Sequence, residues 1–487
     1  MSFRRLIAYN TLVQISGKAL GIFISLATVI FLTRYLGTAG FGQYNTALIF
    51  VGFFIILGDL GIYNIVVRQM AQQKSQRVEI FGNIFLYRLS SAFLMVMIAF
   101  FIGFLMPYEP IVKLAIGIVA LQSFFGLLTR FLGSIFQINY RMDLPTFAEV
   151  FSRAIYFCLI LLAIHLRFSL LGIFWFLLIG TVANFCLVYW LSFKFIKLKL
   201  KFNWQLWQTF IRESWPLGLV TTLAMIGSQI GPILLSLLKP VADLGIYSSA
   251  HRIFENLIII PIIFVDLVFP KLAALFKNNI LESKKFFEKI FNILLITVLP
   301  VAIFLIFMAP HLIGLVAGED FIAGALTLKI LSFALVFIFL SYPLSQLLVA
   351  AGKQKWLILN ITLFIVTTII LNLILIPKYT YNGVALAMLI ATGIYFLSLL
   401  VFCYFLITIR PNFNLTVKLI LPAVITIVFL HLLLKISFFS PSQFALFSLI
   451  KQMALVLLAS VLIGGVYWFS LTTLKIIPHL DRTRQDS

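Results

Sequence analysis

The chain has 487 residues, of which 62% are hydrophobic and only 10% are charged, and its formal net charge is +21. Soluble globular domains are about half apolar and about a quarter charged, so this composition excludes a soluble enzyme or binding module. The positive charge does not indicate a nucleic-acid partner, because the basic residues lie in short loops and form no patch on a hydrophilic domain. We therefore expect a protein that lies largely within a membrane.

Apolar runs of about twenty residues, each long enough to cross a bilayer, recur along the chain. They predict an all-α polytopic fold with about fourteen transmembrane helices. The breaks between the runs carry glycine and proline, as at Gly37 to Gly42 and Pro377 to Gly383, and predict loops. The predicted spans are 8–33, 44–67, 81–106, 112–137, 146–165, 169–193, 214–238, 245–270, 290–315, 323–350, 356–377, 383–408, 415–436 and 448–470.

The basic residues of the loops, the termini and the ends of these spans are distributed unevenly between the two sides. Twenty-three of them lie in segments that are cytoplasmic if the N-terminus is cytoplasmic, against seven in the opposite segments. Basic residues concentrate in cytoplasmic loops. The distribution therefore predicts that both termini are cytoplasmic.

An internal repeat is visible at an offset of about 203 to 212 residues. Phe41-Gly-Gln-Tyr44 precedes helix 2, and Leu244-Gly-Ile-Tyr247 precedes helix 8; Arg141 matches Lys353 at offset 212, and Gly172 matches Gly383 at offset 211. A parallel repeat of six helices is a common plan of transporters, with the binding site between the halves. We expect an N-terminal six-helix lobe at 1–200, a second at 201–410, and two further helices with a cytoplasmic tail at 411–487.

Charges inside the spans are candidates for function, because placing them in lipid costs several kcal/mol. Lys18 lies about 15 Å from the inner end of its helix, near the midplane. The other basic residues lie closer to a surface, where their side chains reach headgroups or form structural pairs as an alternative to a functional role. The basic residues are Lys18, Arg88, Arg130, Arg153, Arg252 and Lys329, and the acidic ones are Asp59, Glu149, Glu255 and Asp266.

The spacing of some charges predicts pairs. Glu149 and Arg153 are four residues apart in the favourable order for a structural ion pair within a helix. His251 and Glu255 share a helix face beside Arg252, where they either bind and release a proton or fix helix packing. These two alternatives remain open at this point.

The chain lacks the patterns of catalysis and of metal binding. Cys158, Cys186 and Cys403 are far apart within apolar runs, and we interpret them as small buried hydrophobes with neither a disulfide nor a metal. No phosphate-binding loop, zinc spacing or nucleophile elbow is present. We expect a protein that is not an enzyme and has no cofactor.

Several short motifs carry a resemblance to a known family. They are Thr33-Arg-Tyr-Leu-Gly37, Gly40-Phe-Gly-Gln-Tyr44, Gly58-Asp-Leu-Gly61 with Arg68, Leu244-Gly-Ile-Tyr247 and Ala351-Gly-Lys353. With them, the chain resembles the polysaccharide-transport branch of the multidrug/oligosaccharidyl-lipid/polysaccharide exporter superfamily, which includes the O-antigen and exopolysaccharide repeat-unit flippases.

The resemblance implies a function and a location. Members move an oligosaccharide linked to undecaprenyl pyrophosphate from the cytoplasmic to the outer leaflet of the bacterial inner membrane. They work by alternating access, coupled to an ion gradient that would here be H⁺ or Na⁺. Membrane lipids, a polysaccharide polymerase and a chain-length regulator are the further partners that it implies.

The resemblance also implies roles for charged residues, since a cationic cavity suits an anionic pyrophosphate. The residues implied for this cavity are Lys18, Arg34, Arg88, Arg130, Arg252 and Lys329. Ion coupling falls to Glu255, His251 and Asp59, and Asp59 is also a candidate partner of Arg88 or Arg130.

Two other functions remain as alternatives. A multidrug or metabolite cation antiporter of the same superfamily would need acidic residues in its cavity, whereas basic residues outnumber acidic ones within these spans. A membrane polysaccharide polymerase commonly carries a large outer loop or a soluble domain, and the predicted spans leave room for neither.

Overall fold

A computed structural model of the chain describes residues 3–59, 66–67, 69–70, 77–196, 200–407, 414–434 and 446–473. All regular secondary structure in these ranges is helical, which confirms the predicted all-α fold. The predicted features at residues 60–61, Arg68, 408–413 and 474–487 lie outside the described residues.

Twelve α-helices and one 3₁₀ helix, Glu319–Gly324, make up the described part of the chain. The α-helices are α1 (Phe3–Asp59), α2 (Arg77–Leu105), α3 (Pro110–Ile138), α4 (Asp143–His165), α5 (Leu170–Ser192), α6 (Trp204–Leu238), α7 (Val241–Asn278), α8 (Ile280–Val316), α9 (Ala325–Ala350), α10 (Gln354–Ile407), α11 (Asn414–Leu434) and α12 (Leu446–Thr473).

Two of these helices are each interrupted by one residue with non-helical dihedral angles. Gly37 has φ 64° in α1, a conformation that glycine adopts without steric cost, and Thr380 has φ 51° in α10. The predicted loops at 37–42 and 377–383 are therefore wrong, because single-residue breaks separate the helical segments there. With both breaks counted, the described residues form fourteen helical segments, the number predicted.

Nine helical stretches among the described residues are long and apolar enough to cross a membrane, and two of them are the interrupted helices α1 and α10. Shorter apolar helices, Ile226–Leu238 and Leu458–Thr472, lie within α6 and α12. Large apolar side chains point outward, among them Phe101 at 66% exposure and Leu267 at 78%. Such a surface requires lipid as solvent, and the protein is a multi-pass membrane protein.

The chain divides into two compact units, Met1–Gly245 and Ile246–Ser487. In the first unit, α5 packs against both α3 and α4, which scarcely touch each other. Buried aromatic residues, including Phe81, Phe131 and Phe136, hold α2 and α3 together. This packing leaves a space between α3 and α4 above α5.

The second unit is organised around α8, which contacts α9, α11 and α12, while α9 also packs on α10. Phe287 and Phe291 of α8 and Leu344 of α9 are fully or almost fully buried in its core. The lobes predicted at 1–200 and 201–410 are defined by sequence duplication and remain predictions.

Within the first unit, the repeat motifs make one close contact. A side chain at Gly42 would overlap the carbonyl of Val241, and one at Gly245 would overlap the carbonyl of Thr38. Each pair is related to the other by the offset of 203, so the two motifs contact each other reciprocally. Glycine is needed at both positions because the backbones approach too closely for a Cβ atom.

Candidate functional site

A groove of about 600 Å³ lies in the first unit, with α5 as its floor and α3 and α4 as its walls. Its lining is unusually polar for a chain of this composition. The polar residues are Gln122, Thr129, Arg130, Glu149, Ser152, Arg153, Tyr156, Thr181 and Asn184. Polar side chains in the apolar layer of a membrane protein are costly, so a concentration of nine marks a candidate site.

Glycines on α3 keep the groove open. A Cβ atom at Gly126 or Gly133 would meet no heavy atom within 4 Å, so both positions border free space. On the floor, a Cβ at Gly180 would lie 3.2 Å from the Cβ of Tyr156, so this glycine lets α4 approach α5 closely. The groove is thus a consequence of small residues on one wall and close packing at its floor.

Three charged side chains line the groove. Nη2 of Arg153 lies 2.6 Å from Oε1 of Glu149, and Nη1 of Arg153 donates to the carbonyl of Gly21 in α1 at 3.0 Å. The predicted ion pair is therefore present, and it also connects α4 to α1. Arg130 is exposed in the groove, which leaves the three charges with a net value of +1.

Three hydroxyl groups of the groove donate their protons to backbone carbonyls. Oγ1 of Thr129 donates to the carbonyl of Phe125 at 2.8 Å, and Oγ of Ser152 donates to that of Glu149 at 2.9 Å. Oγ1 of Thr181 donates to Leu177 at 3.0 Å. Each hydroxyl oxygen therefore faces its surroundings as an acceptor. The oxygen of Thr181 accepts from Nε2 of Gln122 at 3.1 Å.

The amide of Asn184 makes no hydrogen bond within the described part of the chain, and its Oδ1 is fully buried. One helical turn away on α5, Thr181 is already paired with Gln122. Across the groove, the hydroxyl of Tyr156 lies 3.2 Å from that of Tyr44, whose ring stacks on Phe174. The motif tyrosine Tyr44 thus supports one wall of the groove.

The neutral residues of this site were missed by sequence reasoning, which considered only charges within spans. Gln122 and Asn184 gave a signal of their own, because amides are rare within apolar runs. Thr181 and Asn184 are three residues apart and so share a helix face. That spacing could have indicated a polar face on α5.

The structure separates the cations predicted for the first half of the chain. Arg130 lines the groove, whereas Lys18 and Arg34 are exposed on α1, where Arg34 donates to the carbonyl of Ile30 at 3.0 Å. Arg88 is only 2% exposed, and its Nε donates to the carbonyl of Leu127 at 3.4 Å. This burial does not fit the alternative in which Arg88 extends to lipid headgroups.

In the second unit, His251 and Arg252 both face Glu255 on α7. Nδ1 of His251 lies 3.5 Å from Oε1 of Glu255, and Nη1 of Arg252 lies 3.9 Å from its Oε2. The imidazole stacks on Tyr247 with 5.2 Å between ring centroids. Lys329 is half-buried on α9. The side chain of Asp59 lies outside the described residues.

Asp266 is held differently from the other intramembrane carboxylates. Its Oδ1 accepts from the hydroxyl of Tyr342 at 2.9 Å and from Nε2 of Gln346 at 3.3 Å. Among the described side chains, Glu149 and Glu255 face cations, while Asp266 is held by a hydroxyl and an amide.

The described residues contain no group of three or more His, Cys, Asp or Glu side chains able to hold a metal ion. Cys158, Cys186 and Cys403 are free thiols, and only Cys403 is buried. The groove contains one carboxylate, Glu149, and that carboxylate is already paired with Arg153. Its lining therefore offers hydrogen bonds and one excess positive charge.

Comparison with known proteins assigns a family. A family model described as "Polysaccharide biosynthesis protein" matches residues 7–276, which is more than half of the chain and includes every residue of the groove. The chain belongs to the polysaccharide biosynthesis protein family. A curated relative, the capsular polysaccharide biosynthesis protein CapF of Staphylococcus aureus, is 28% identical over 240 residues. That alignment covers 47% of this chain and 58% of CapF, so it spans little more than half of the relative's length.

Solved structures show which fold this polysaccharide biosynthesis protein has. The lipid II flippase MurJ, in an inward closed conformation, matches with a TM-score of 0.75 and 17% identity, covering 96% of this chain and 100% of MurJ. An inward-facing multidrug resistance MATE transporter of the MOP superfamily matches with a TM-score of 0.61 and 15% identity, covering 79% and 96%. The fold is that of MOP-superfamily transporters, which, with the family match, confirms the resemblance found in the sequence.

Proposed function

We propose that the protein is a flippase for oligosaccharides linked to undecaprenyl pyrophosphate. It moves them from the cytoplasmic to the outer leaflet of the bacterial inner membrane by alternating access, and an H⁺ or Na⁺ gradient drives the cycle. Both termini lie in the cytoplasm. The activity is transport and not catalysis, and a polymerase with its chain-length regulator uses the exported units.

The observation that carries the proposal is a polar groove with a net positive charge in a member of the polysaccharide biosynthesis family. A groove of this size within an apolar unit matches a polar ligand of substantial size. Its excess positive charge suits a substrate that is anionic overall and opposes a cationic one. MurJ, whose structure matches nearly all of this chain, is a lipid II flippase, and this likeness supports transport of a lipid-linked headgroup.

Cationic residues outside the groove are proposed to hold the pyrophosphate. Lys18 is the first candidate, because it is exposed on α1 and forms no ion pair within the described residues. Arg34 lies further along the same helix and would receive the group as it moves outward. Arg252 and Lys329 are further candidates, while the buried Arg88 is less suited to contact a large substrate.

The coupling ion is proposed to act at Glu255. This carboxylate lies 3.5 Å from His251 and 3.9 Å from Arg252, and in the proposed cycle it binds and releases the coupling ion. Asp59 remains a further candidate for this role. Replacing Glu255 by glutamine removes the exchangeable charge and should abolish the dependence of transport on the ion gradient.

A cation antiporter is the second candidate, favoured by the likeness in fold to MATE transporters. Its substrates would have to enter a site with complementary negative charge. The groove instead has two guanidinium groups for one carboxylate, which opposes a cationic ligand. The flippase is therefore the better-supported function.

The test is made in a strain lacking the gene. Lipid-linked oligosaccharides are extracted, and a membrane-impermeant label reports the leaflet in which they lie. Accumulation of unlabelled repeat units is expected, because their headgroups stay on the cytoplasmic side. Complementation with Lys18→Ala should leave this accumulation in place at normal protein level. Accumulation of labelled units would instead indicate a missing polymerase, and sensitivity to cationic drugs without accumulation would indicate the antiporter.

A further inference from the structure

We propose that the groove of the first unit binds the saccharide part of the substrate through the sugar's own hydroxyl donors, and that the phosphates are held elsewhere. This inference rests on the proposed function and assigns one chemical part of the substrate to one site. The groove then selects which repeat unit is carried.

The supply of hydrogen-bond acceptors in the groove is the main argument. The hydroxyls of Thr129 and Ser152 donate to helix carbonyls, so their oxygens are left as hydrogen-bond acceptors only. Glu149 likewise offers acceptor oxygens beyond the one that faces Arg153. At neutral pH a phosphate group carries few protons, so it donates few hydrogen bonds to these acceptors. Each sugar hydroxyl, by contrast, donates one.

The donors of the groove are mostly in use. Arg153 donates to Glu149 and to the carbonyl of Gly21, and Gln122 donates to Thr181. Arg130 is the other cation of the lining, so a bare anion would meet one further guanidinium among many acceptor oxygens. A ligand that brings both donors and acceptors fits this lining better, and hydroxyl groups have both.

Asn184 adds a second, independent observation. Its amide is without a hydrogen bond in the described residues although Oδ1 is fully buried. A buried acceptor left unpaired costs about 1–3 kcal/mol, which the side chain recovers if it rotates toward the groove and pairs with a ligand there. A sugar hydroxyl can both donate and accept, and so it satisfies whichever end of the amide faces the groove.

Charge and size point to the same class of ligand. The net charge of +1 opposes a cation, so the abundant acceptors are not explained by a metal or by a cationic drug. Along α3, the lining extends from Gln122 to Gly133, about 16 Å at 1.5 Å per residue. This length and the volume of about 600 Å³ suit a short oligosaccharide.

The experiment measures binding directly, without transport. The purified full-length protein in lipid nanodiscs is mixed with the oligosaccharide that mild acid releases from the lipid-linked pool of the host. Saturation-transfer NMR reports its binding, and inorganic pyrophosphate is the competitor. We expect transfer to the sugar protons that excess pyrophosphate leaves unchanged.

Two kinds of variant locate the binding. Gly126→Leu fills the groove and should abolish the signal, while Gly464→Leu, where a Cβ also meets nothing within 4 Å, should retain it. Removing two acceptors with Thr129→Val and Ser152→Ala should weaken binding by about tenfold. These two substitutions change few contacts, so they keep the test valid should Gly126→Leu fail to fold.

The outcomes separate this inference from the proposed function. No transfer to the sugar, competition by pyrophosphate, or full binding by the groove variants would each overturn the inference, even where the deletion strain accumulates cytoplasm-facing units. Sugar binding that depends on the groove, in a strain without such accumulation, would support the inference as a binding site and refute the flippase.

Discussion

The two units share a helical plan but differ at the positions that form the groove. At the repeat offset of 212 for α3 and α4 and 211 for α5, several polar or glycine positions of the first unit have a larger or apolar counterpart in the second, whereas Thr181 corresponds to another threonine, Thr392. Gly126 corresponds to Ile338, Glu149 to Ile361, Ser152 to Phe364, Arg153 to Ile365 and Asn184 to Tyr395.

These counterparts pack together in the second unit. The rings of Phe364 and Tyr395 lie 5.7 Å apart between centroids, and Ile365 is 8% exposed. Asn360 donates weakly to the carbonyl of Tyr395 at 3.5 Å and accepts from Ser398 at 2.7 Å, so polar groups there satisfy each other. The helical plan therefore accepts either arrangement, and the polar groove of the first unit results from the volume and polarity of its side chains.

The largest expected effect comes from giving the first unit the residue of the second. Gly126→Ile places a branched side chain in free space, so the protein should fold while the groove closes. We expect transport to fall by more than about a hundredfold, because losing a few kcal/mol of ligand binding has this effect. The leaflet assay measures it in cells.

The matched control is Gly465→Ile, which also adds a side chain in open space, on α12. Normal transport by Gly126→Ile at normal protein level would show that the groove is not on the substrate path. The difference between the two units would then have no role in transport.

A second effect concerns the contact that the two repeat motifs share. Gly42→Ala and Gly245→Ala each place a methyl group against a backbone carbonyl, and we expect each to destabilise the protein by about 1–3 kcal/mol. Thermal unfolding in detergent, followed by fluorescence, measures the loss. Because the contacts are reciprocal, the double variant should lose less than the sum of the two.

Gly52→Ala is the control, since its Cβ meets nothing within 4 Å. Independent, fully additive losses for the two glycines would mean that they do not form one shared contact.

A smaller effect is expected at the ion pair that the second unit replaces by two isoleucines. Arg153→Ile alone removes the half-exposed pair with Glu149 and the hydrogen bond to Gly21, at a cost of about 1–2 kcal/mol in unfolding free energy, most of it from the hydrogen bond. Thermal unfolding at neutral pH measures this loss.

The double variant Glu149→Ile with Arg153→Ile should recover part of the lost stability, because no unpaired charge remains. An equal or greater loss in the double variant would show that the pair contributes by attraction and not merely by mutual neutralisation.

The smallest effect is expected outside both units' packed helices, at the turn before α4. Nε of Arg141 lies 3.0 Å from Oδ1 of Asp143, and the hydrogen bond raises the pKa of Arg141 above its ordinary value. The guanidinium is already charged at every accessible pH, so its titration cannot affect stability. Since the pair is exposed, Arg141→Ala should cost less than about 1 kcal/mol. A larger change in the thermal midpoint would contradict its assignment as a surface pair.

Much of the fold could be predicted from the sequence. Apolar runs define where helices cross a membrane, and each predicted span coincides with an observed helical segment, although α6 and α8 begin ten residues before their spans. The joins at Gly37 and Thr380 could not be predicted, because loops and single-residue breaks contain the same glycines and prolines. Whether the chain forms a loop or a single-residue break depends on how the neighbouring helices pack.

The site was predicted only in part. Charges within apolar runs are conspicuous, and Arg130, Glu149 and Arg153 proved to lie together in the groove. Arg88 carries the same sequence signal but is buried against α3. A residue's type and depth do not reveal which neighbour it faces, since that depends on helix rotation.

The sequence by itself determined that this is a helical membrane protein with a duplicated plan. Its long apolar runs predict helices that cross a lipid bilayer, and its matched motifs indicate the repeat. Only the tertiary structure decided where polar groups converge. Gln122, Thr181 and Asn184 come from two helices that are distant in sequence, and their meeting requires that α3 and α5 pack with these faces together. Hydrophobic burial selects membrane helices residue by residue, whereas a binding groove depends on the spacing between helices, which only their packing sets.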